Sequence, residues 1–325
     1  MDVSIIRAEG LRKTFGSAVA VENVDLHVSE GVVIGILGPN GAGKSTTVHM
    51  LTTLLRADSG IATVAGFDVA RQPGKVRRSI GLCGQYAALD GYLTGRENLR
   101  LVGRLHHMTW ADSRRQAAKL LEDFGLTAAA DRLVRTYSGG MRRRLDLAAA
   151  LVASPPVLFL DEPTVGLDPH HRQYLWSRIL ELASAGSTVL LTTQHLDEAD
   201  HLADEVTVID RGRVVACGTP DQLKDRAGEQ QVEVTLQDRQ DIAMVRALLL
   251  GVGSGDVRVR DHARKLTVPV ARGPEAVAEL LRLLADRGTG VSNIALLRPT
   301  LDDVFFSLTG GRQLGPEEQI QEPVK

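Results

Sequence analysis

Residues 38–45 read Gly38-Pro39-Asn40-Gly41-Ala42-Gly43-Lys44-Ser45 and match the phosphate-binding loop pattern, G-x-x-x-x-G-K-[ST], at every fixed position. An apolar run, Val32 to Leu37, precedes the loop and a helical pattern follows it, as the motif requires. Glycines let the backbone curl so that successive N–H groups point at phosphate oxygens, with the positive end of the helix behind them. The loop therefore predicts a nucleotide-binding α/β fold, and a glycine-rich turn that binds nothing is the much weaker interpretation.

The side chains at the end of this loop have separate predicted roles. Lys44 places a positive charge on the β- and γ-phosphates of ATP, and Ser45 offers a hydroxyl ligand to Mg²⁺. Thr46, the next residue, completes the set 38–46 that we predict to contact the nucleotide. ATP and Mg²⁺ are therefore the predicted cofactors.

Two adjacent carboxylates, Asp161 and Glu162, follow the apolar strand pattern from Val157 to Leu160. Ligands of open α/β sheets bind at the carboxyl ends of the strands, where this pair would lie. By itself the pair is also consistent with two solvated residues at a strand end. Beside the loop, Asp161 is the predicted Mg²⁺ ligand and Glu162 the predicted base that polarises the attacking water.

A second glycine-rich segment, Tyr137-Ser138-Gly139-Gly140-Met141, precedes a helical pattern and resembles the signature motif of ABC ATPases. In that family a serine and two glycines at a helix N-terminus bind the ATP that the partner subunit holds. The resemblance therefore implies a homodimer around two nucleotides, in which Ser138, Gly139 and Gly140 supply half of each site. In isolation the pentapeptide would be interpreted as a turn with an N-cap serine.

Other landmarks of the ABC family follow in the expected order. The resemblance makes Gln85 the Q-loop glutamine, which reaches Mg²⁺ and senses the membrane part, and Asp168 the D-loop aspartate. It also makes His195 the switch histidine at the γ-phosphate, and Phe15 the ring that stacks on adenine. Each of these residues alone is consistent with an ordinary structural role. Their joint order and spacing around a complete phosphate loop carry the resemblance.

The signature segment departs from the general family pattern. Met141 replaces the usual glutamine and Tyr137 the usual leucine, while Phe15 replaces the commoner tyrosine. The backbone donors and Ser138 remain, so we expect ATP binding to survive these changes.

These departures narrow the resemblance to a subfamily. Residues 137–145, Tyr-Ser-Gly-Gly-Met-Arg-Arg-Arg-Leu, resemble bacterial exporters of the daunorubicin/doxorubicin-resistance, DrrA-like type, as do residues 298–305 and the segment Leu93 to Asn98. The resemblance runs from the N-terminus to about residue 310. It implies an ATP-hydrolysing subunit that energises efflux of a drug-like or hydrophobic compound.

The same resemblance implies the partners and location of the chain. A separate membrane permease would bind the ATPase dimer through the surface from Gln85 to Asn98. The chain would then be a peripheral protein on the cytoplasmic side of the membrane, and soluble when isolated. The sequence itself shows no run of about twenty apolar residues and no leader pattern after Met1, so if the protein works on a membrane, another chain must supply the membrane spans.

The composition of the 325 residues fits this interpretation. A hydrophobic share of 43% is enough for a sizeable core, and the formal net charge of −2 gives no basic field for nucleic acid. Cys83 and Cys217 lie far apart without a CxxC partner, which argues against a disulfide framework or a zinc site and favours a reducing cytoplasm.

The alternation of apolar runs and helical patterns predicts an ABC ATP-binding domain over residues 1–227, with a largely parallel sheet and a helical subdomain at about 93–151. Residues 228–310 predict a small α+β domain with the ferredoxin-like order βαββαβ, including a hairpin turn at Asp261 to Arg264. Residues 311–325 are polar and are predicted to be disordered.

Several alternatives stay open at this point. The cargo could instead be a lipid, a polysaccharide or an ion, and an importer is less favoured by the C-terminal segment. A soluble ABC ATPase acting on DNA or ribosomes is disfavoured, since there is no second phosphate loop, and the basic run Arg142 to Arg144 is interpreted as a solvated face. The C-terminal domain could regulate the ATPase or dimerise it, with equal weight.

Overall fold

The computed structural model of the chain describes residues 4–85, 88–260, 262 and 264–309, with Ala227 and Thr309 as backbone only. It divides into two compact units, the first reaching Pro220 and the second beginning at Asp221, whereas the sequence interpretation placed the boundary after residue 227. The predicted tail, 311–325, lies outside the described residues, as do Asp261 and Ala263 of the predicted hairpin turn.

The first unit contains a sheet and the helices that cover it. Its strands are β1 (Ser4–Phe15), β2 (Ala18–Ser29), β3 (Val33–Leu37), β4 (Ser59–Val64), β5 (Phe67–Asp68), β6 (Ile80–Cys83), β7 (Val157–Asp161), β8 (Thr188–Thr193), β9 (Glu205–Asp210) and β10 (Arg213–Gly218). Its helices are α1 (Lys44–Leu51), α2 (Pro73–Ser79), α3 (Gly95–Leu105), α4 (Trp110–Asp123), α5 (Gly139–Ala150), α6 (Pro169–Ser184) and α7 (Leu196–Leu202), and α8 (Pro220–Ala227) begins at the division.

Five strands form the parallel part of the sheet, in the order β9-β3-β8-β7-β6. Every residue of β3, β7 and β8 is buried, as expected for parallel strands covered on both faces. In the register of β7 and β8, Asp161 pairs with Thr192. The ends of β3, β7 and β8 therefore meet at one edge, and the α/β prediction is confirmed.

The other half of the sheet is mostly antiparallel, which the expectation of a largely parallel sheet did not include. The strands β1, β2, β4 and β5 pair antiparallel, and β10 pairs antiparallel with β9. In β2 buried and exposed residues alternate over most of the strand, because one face of this layer is solvated. Such strands lack the wholly apolar runs that identified β3 and β7.

The helices α3, α4 and α5 form the insertion between β6 and β7, with two short 3-10 turns at Thr127–Ala129 and Val134–Thr136. Phe124 is fully buried in its core. Tyr137, also buried, donates its hydroxyl to the carbonyl of Ala129 at 2.7 Å. The tyrosine of the altered signature segment thus fixes the turn that leads into α5.

The second unit contains β11 (Gln230–Leu236), α9 (Ile242–Val252), β12 (Arg258–Arg260), β13 (Lys265–Val270), α10 (Gly273–Asp286), β14 (Val291–Leu297) and α11 (Leu301–Thr309). Its sheet has the order β12-β13-β11-β14 with antiparallel neighbours. This order is the ferredoxin-like arrangement, so the predicted βαββαβ fold is confirmed. The helix α11 is an addition after the last strand.

In the described part of the chain, no helix has both the length and the apolar character that crossing a bilayer requires.

Candidate functional site

The phosphate loop connects β3 to α1, and two of its glycines are required by close packing. A Cβ on Gly38 would lie 2.2 Å from the carbonyl oxygen of Ile209, and a Cβ on Gly43 would lie 2.5 Å from that of Ala20. Gly43 also has φ of 106°, a backbone conformation that favours glycine. The loop is therefore held against β9 and β2, with its N–H groups at the start of α1 left for a ligand.

Lys44 is buried at the base of this loop. Its Nζ donates to the carbonyls of Gly38 at 2.8 Å and Pro39 at 3.2 Å, and lies 3.7 Å from Glu162 Oε1. Burial lowers the pKa of Lys44, and the carboxylates of Glu162 and Asp161 offset part of that change. The ammonium group is thus held between its own loop and the carboxylates, within reach of a phosphate bound there.

Asp161 ends β7 and is buried, with only 1% of the residue exposed. Its Oδ1 accepts hydrogen bonds from Ser45 Oγ at 3.0 Å and from Thr192 Oγ1 at 2.5 Å. A carboxylate beside a serine hydroxyl is an all-oxygen donor set, which is the chemistry that Mg²⁺ prefers. The residues present therefore fit the predicted metal.

Glu162 differs from Asp161 in its backbone. It has φ of 48°, a left-handed conformation that costs a non-glycine residue about 1–2 kcal/mol. Its N–H donates both to the carbonyl of Thr192 at 3.1 Å and to the hydroxyl of Thr192 at 3.0 Å. The turn sends the Glu162 side chain to the surface that the phosphate loop faces.

A cavity of about 430 Å³ lies at this edge of the sheet. Predicted site residues that line it are Phe15, Asn40, Gly41, Ala42, Gly43, Lys44, Ser45, Thr46, Gln85 and Glu162. Phe15, 51% exposed at the end of β1, lines this cavity, and the Lys13 ammonium lies 5.7 Å from the centroid of its ring. The structure thus brings together the residues that were predicted separately to contact the phosphates, to stack on adenine, to bind Mg²⁺ and to polarise the attacking water.

The other predicted site residues do not line this cavity. Ser138 caps α5, where it accepts a hydrogen bond from the N–H of Met141 at 3.2 Å, and Gly139 and Gly140 form the first turn. Asp168 caps α6 and accepts from the N–H and the Nδ1 of His171, at 3.0 and 2.6 Å, which lowers the pKa of Asp168. His195 precedes α7, and its neighbour Gln194 lines the cavity instead.

Two residues that bond Asp161 and Glu162 were not predicted. Thr192 bonds both Asp161 and Glu162, and its position at the end of the neighbouring parallel strand is a signal that could have identified it. Arg143 was assigned to a solvated face, and that interpretation is wrong. Its side chain is only 10% exposed, and it donates to the backbone carbonyls of Asp161 and Glu162. Arg142, by contrast, is exposed.

Comparisons with known proteins give the site its context. A family model described as ABC transporter matches residues 21–165, and one described as ATP-binding protein DrrA1-3-like, C-terminal domain, matches residues 218–309.

Curated relatives match over almost the whole chain. The daunorubicin resistance ATP-binding protein DrrA2 of Streptomyces coeruleorubidus is 51% identical over 96% of this chain and 97% of its own length. The daunorubicin/doxorubicin resistance ATP-binding protein DrrA of Streptomyces peucetius is 48% identical over 94% of this chain and 92% of its own length.

A solved structure gives the same fold for the first unit. It is a dimeric, post-hydrolysis ATP-binding cassette bound to ADP and Pi, 25% identical, with a TM-score of 0.62 over 66% of this chain and 98% of that one.

Proposed function

This chain belongs to the ABC transporter family of ATPases, and we propose that it energises the export of a drug-like, hydrophobic compound through a separate membrane permease. The observation that carries the proposal is the convergence of Lys44, Ser45 and Glu162 on one cavity, with Asp161 directly behind it. The cargo class follows from the near full-length relatives, which are named for daunorubicin and doxorubicin resistance.

The proposed reaction is attack of water on the γ-phosphorus of ATP, which breaks the bond to the oxygen that bridges the β- and γ-phosphates and releases ADP and inorganic phosphate, with the water proton passing to Glu162. Glu162 polarises the water, and Lys44 exchanges its loop carbonyls for phosphate oxygens. Ser45 and Asp161, with Gln85, would hold Mg²⁺, which offsets the charge of the β- and γ-phosphates when bound. Phe15 stacks on the adenine, and His195 contacts the γ-phosphate from the end of β8.

A homodimer is the second part of the proposal. The cradle of Ser138, Gly139 and Gly140 opens at the start of α5 and does not line the cavity that holds the phosphate loop. Exposed backbone donors at the N-terminus of a helix suit a phosphate supplied by another molecule. The solved dimeric cassette, bound to ADP and Pi, supports pairing of two copies. Each ATP would then bind between the phosphate loop of one copy and the cradle of the other. Asp168 lies near this cradle, because it is bonded to His171, and the ring of His171 packs against Gly140.

The permease is proposed to bind beside the Q-loop. A groove of about 520 Å³ there is lined by apolar side chains, among them Leu54, Val102 and Leu105, and by Arg77 and Arg78. Leu105 is 69% exposed, which is unusual for a leucine beside a groove and favours cover by a partner. The chain would then be a peripheral protein on the cytoplasmic side of the membrane.

Reconstitution tests the proposal. The chain and its permease would be incorporated into lipid vesicles, and ATP hydrolysis would be measured with and without daunorubicin or doxorubicin. Drug-stimulated hydrolysis with accumulation of drug in inside-out vesicles is expected, and a Glu162→Gln chain is the inactive control. If a lipid, a polysaccharide or an ion stimulates ATP hydrolysis and the drugs do not, that compound is the cargo and the drug assignment is wrong. Stimulation by nucleic acid in place of the permease would contradict the transporter assignment.

A further inference from the structure

Arg143 lies in the second turn of α5 and extends away from the signature glycines into the core of the site. Its Nε donates to the carbonyl of Pro163 at 2.8 Å, and its Nη2 donates to those of Asp161 at 3.1 Å and Glu162 at 2.9 Å. One guanidinium group therefore fixes three successive carbonyls at the point where the chain turns out of β7.

The same guanidinium reaches the Q-loop. Its Nη1 donates to the carbonyl of Gly84 at 2.6 Å, directly before Gln85. Asp146, one turn further along α5, lies 3.6 Å from Arg143 and accepts a hydrogen bond from the N–H of Ala88 at 3.1 Å. The two side chains of α5 thus hold the backbone on both sides of Gln85.

Asp146 is itself buried, 3% exposed, and also accepts from Cys83 Sγ at 3.0 Å. Burial raises the pKa of Asp146, and its hydrogen bond from Cys83 and the charge of Arg143 oppose that change. A buried charge with a partner of opposite sign and several hydrogen bonds is costly to disturb. The pair is therefore a rigid connection between α5 and the strands β6 and β7.

The connection matters because of the backbone that it restrains. Glu162 is in the left-handed conformation, which an L-residue keeps only when its surroundings enforce it. The hydrogen bonds of Arg143 to carbonyls 161–163 are charge-assisted and bracket this residue, so they oppose relaxation of the turn. Nothing in these contacts involves the phosphate loop or Phe15.

We propose that Arg143 is a positioning residue, which ties Glu162 and the loop of Gln85 to the signature helix so that turnover depends on it and ATP binding does not. The inference rests on the proposed function, because Glu162 must be the base for its position to affect the rate. Since Ser138 caps α5 and Gly139 begins it, any movement of the signature cradle would be carried to Glu162 through this side chain.

The test compares Arg143→Gln, Arg143→Lys and the control Arg142→Gln in the full chain. Misplacing the base is expected to lower kcat by about 10- to 100-fold in Arg143→Gln, with KM and the affinity for a fluorescent ATP analogue changed by less than about twofold. Lysine retains the charge opposite Asp146 but lacks the planar fork that reaches several carbonyls, so Arg143→Lys should stay folded and still lose turnover. Arg142→Gln removes the same charge at an exposed position and should keep the kcat of the native chain.

The outcomes separate this inference from the proposed function. Native turnover in Arg143→Lys would show that the arginine only balances the charge of Asp146, and would overturn the inference. Equal loss of kcat and ATP affinity in the lysine variant, with a lowered melting temperature, would do the same by showing a general structural role. Absence of ATP hydrolysis by the native chain with its permease would instead overturn the proposed function.

Discussion

At the residue scale, the backbone gives Asp161 and Glu162 different environments. Asp161 ends the strand with its side chain buried beside Ser45 and Thr192, whereas Glu162 begins a left-handed turn and lines the cavity. A buried carboxylate with hydroxyl neighbours suits a cation, and a carboxylate facing the cavity suits a water molecule. The peptide geometry at 161–162 therefore separates the roles of two otherwise similar side chains.

Glu162→Gln tests this separation. The amide keeps the shape of the side chain but cannot accept a proton, so ATP hydrolysis is expected to fall by about 10²- to 10⁴-fold while ATP affinity is retained. Turnover and equilibrium binding of ATP would be measured on the same preparation. A conservative change at an exposed carboxylate, Glu181→Gln on α6, is the control. Steady hydrolysis by Glu162→Gln at the native rate would refute the role of Glu162 as base.

The burial of Glu198 leads to a second prediction at the residue scale, on how the stability of the chain depends on pH. It is 0% exposed, and its Oε1 accepts from Trp176 Nε1 at 3.1 Å. Burial raises the pKa of Glu198 above its usual 4.5, an effect that the nearby Thr193 hydroxyl and then the N–H of Trp176 partly offset. Because the unfolded chain ionises first, stability is lost as the pH rises from about 4.5 through the raised folded pKa.

Glu198→Gln should remove this loss. Glutamine keeps an oxygen for Trp176 and cannot ionise, so the variant should gain stability relative to the native chain as the pH rises from 4.5 towards neutrality. Melting temperatures of both proteins would be compared across that range. Asp197→Asn, at an exposed position on the same helix, should show no such trend. A difference that is constant with pH, or that grows towards acid, would contradict the prediction.

Much of the site could be predicted from the sequence because its residues are contiguous. The phosphate loop and the pair Asp161 and Glu162 each follow an apolar strand, so local pattern and ligand chemistry coincide. Arg143 could not be predicted, because its neighbours Arg142 and Arg144 are also basic and only tertiary packing decides which of them turns inward. Thr192 differs from Arg143, because its position at the end of an apolar strand pattern is visible in the sequence and only the pairing of β7 with β8 had to come from the structure.

At the element scale, α3 begins with a complete capping box. The Thr94 side chain accepts from the N–H of Glu97 at 3.2 Å, and the Glu97 side chain accepts from the N–H of Thr94 at 2.8 Å. Asn98 in turn donates to the carbonyls of Asp90 and Thr94 at 3.0 Å. The segment from Leu93 to Asn98, which sequence resemblance singled out, is thus also a helix start with its own hydrogen bonds.

Thr94→Ala should lower the free energy of unfolding by about 1 kcal/mol, because the N–H of Glu97 loses its side-chain acceptor. Urea denaturation of the full chain measures the change. Thr127→Ala is the matched control, at an exposed threonine that begins a 3-10 turn without a side-chain cap. A loss at Thr94 no larger than at Thr127 would show that the capping box does not stabilise the unit.

Element prediction depended on how each strand is covered. The buried parallel strands β3 and β7 are without polar side chains except for Asp161 at the end of β7, and the sequence predicts their bounds within one residue at each end. The long hairpin of β1 and β2 has an exposed face, and its register shifts, as between Leu11 and Lys13, break the alternation that a strand pattern needs. The antiparallel half of the sheet therefore could not be predicted from the sequence and is known only from the structure.

At the scale of the whole molecule, the two units have separate hydrophobic cores. The core of the second unit is formed by buried residues between Val232 and Leu284, joined by partly buried ones up to Leu296. The proposed ATP sandwich needs only the first unit, because the phosphate loop and the cradle Ser138 to Gly140 both lie before Pro220. The second unit would then supply neither half of the nucleotide site, which leaves regulation of the ATPase and dimerisation as its two possible roles.

A fragment of residues 1–220 carrying Glu162→Gln is therefore expected to bind ATP and to dimerise when ATP is added. Light scattering after size-exclusion chromatography would measure dimerisation with and without ATP, and the full chain with the same substitution is the control. Addition of Ser138→Arg to the fragment should abolish the ATP-dependent dimer, because a long side chain would fill the phosphate cradle. If the fragment folds and binds ATP but stays monomeric while the full chain dimerises, dimerisation depends on the second unit.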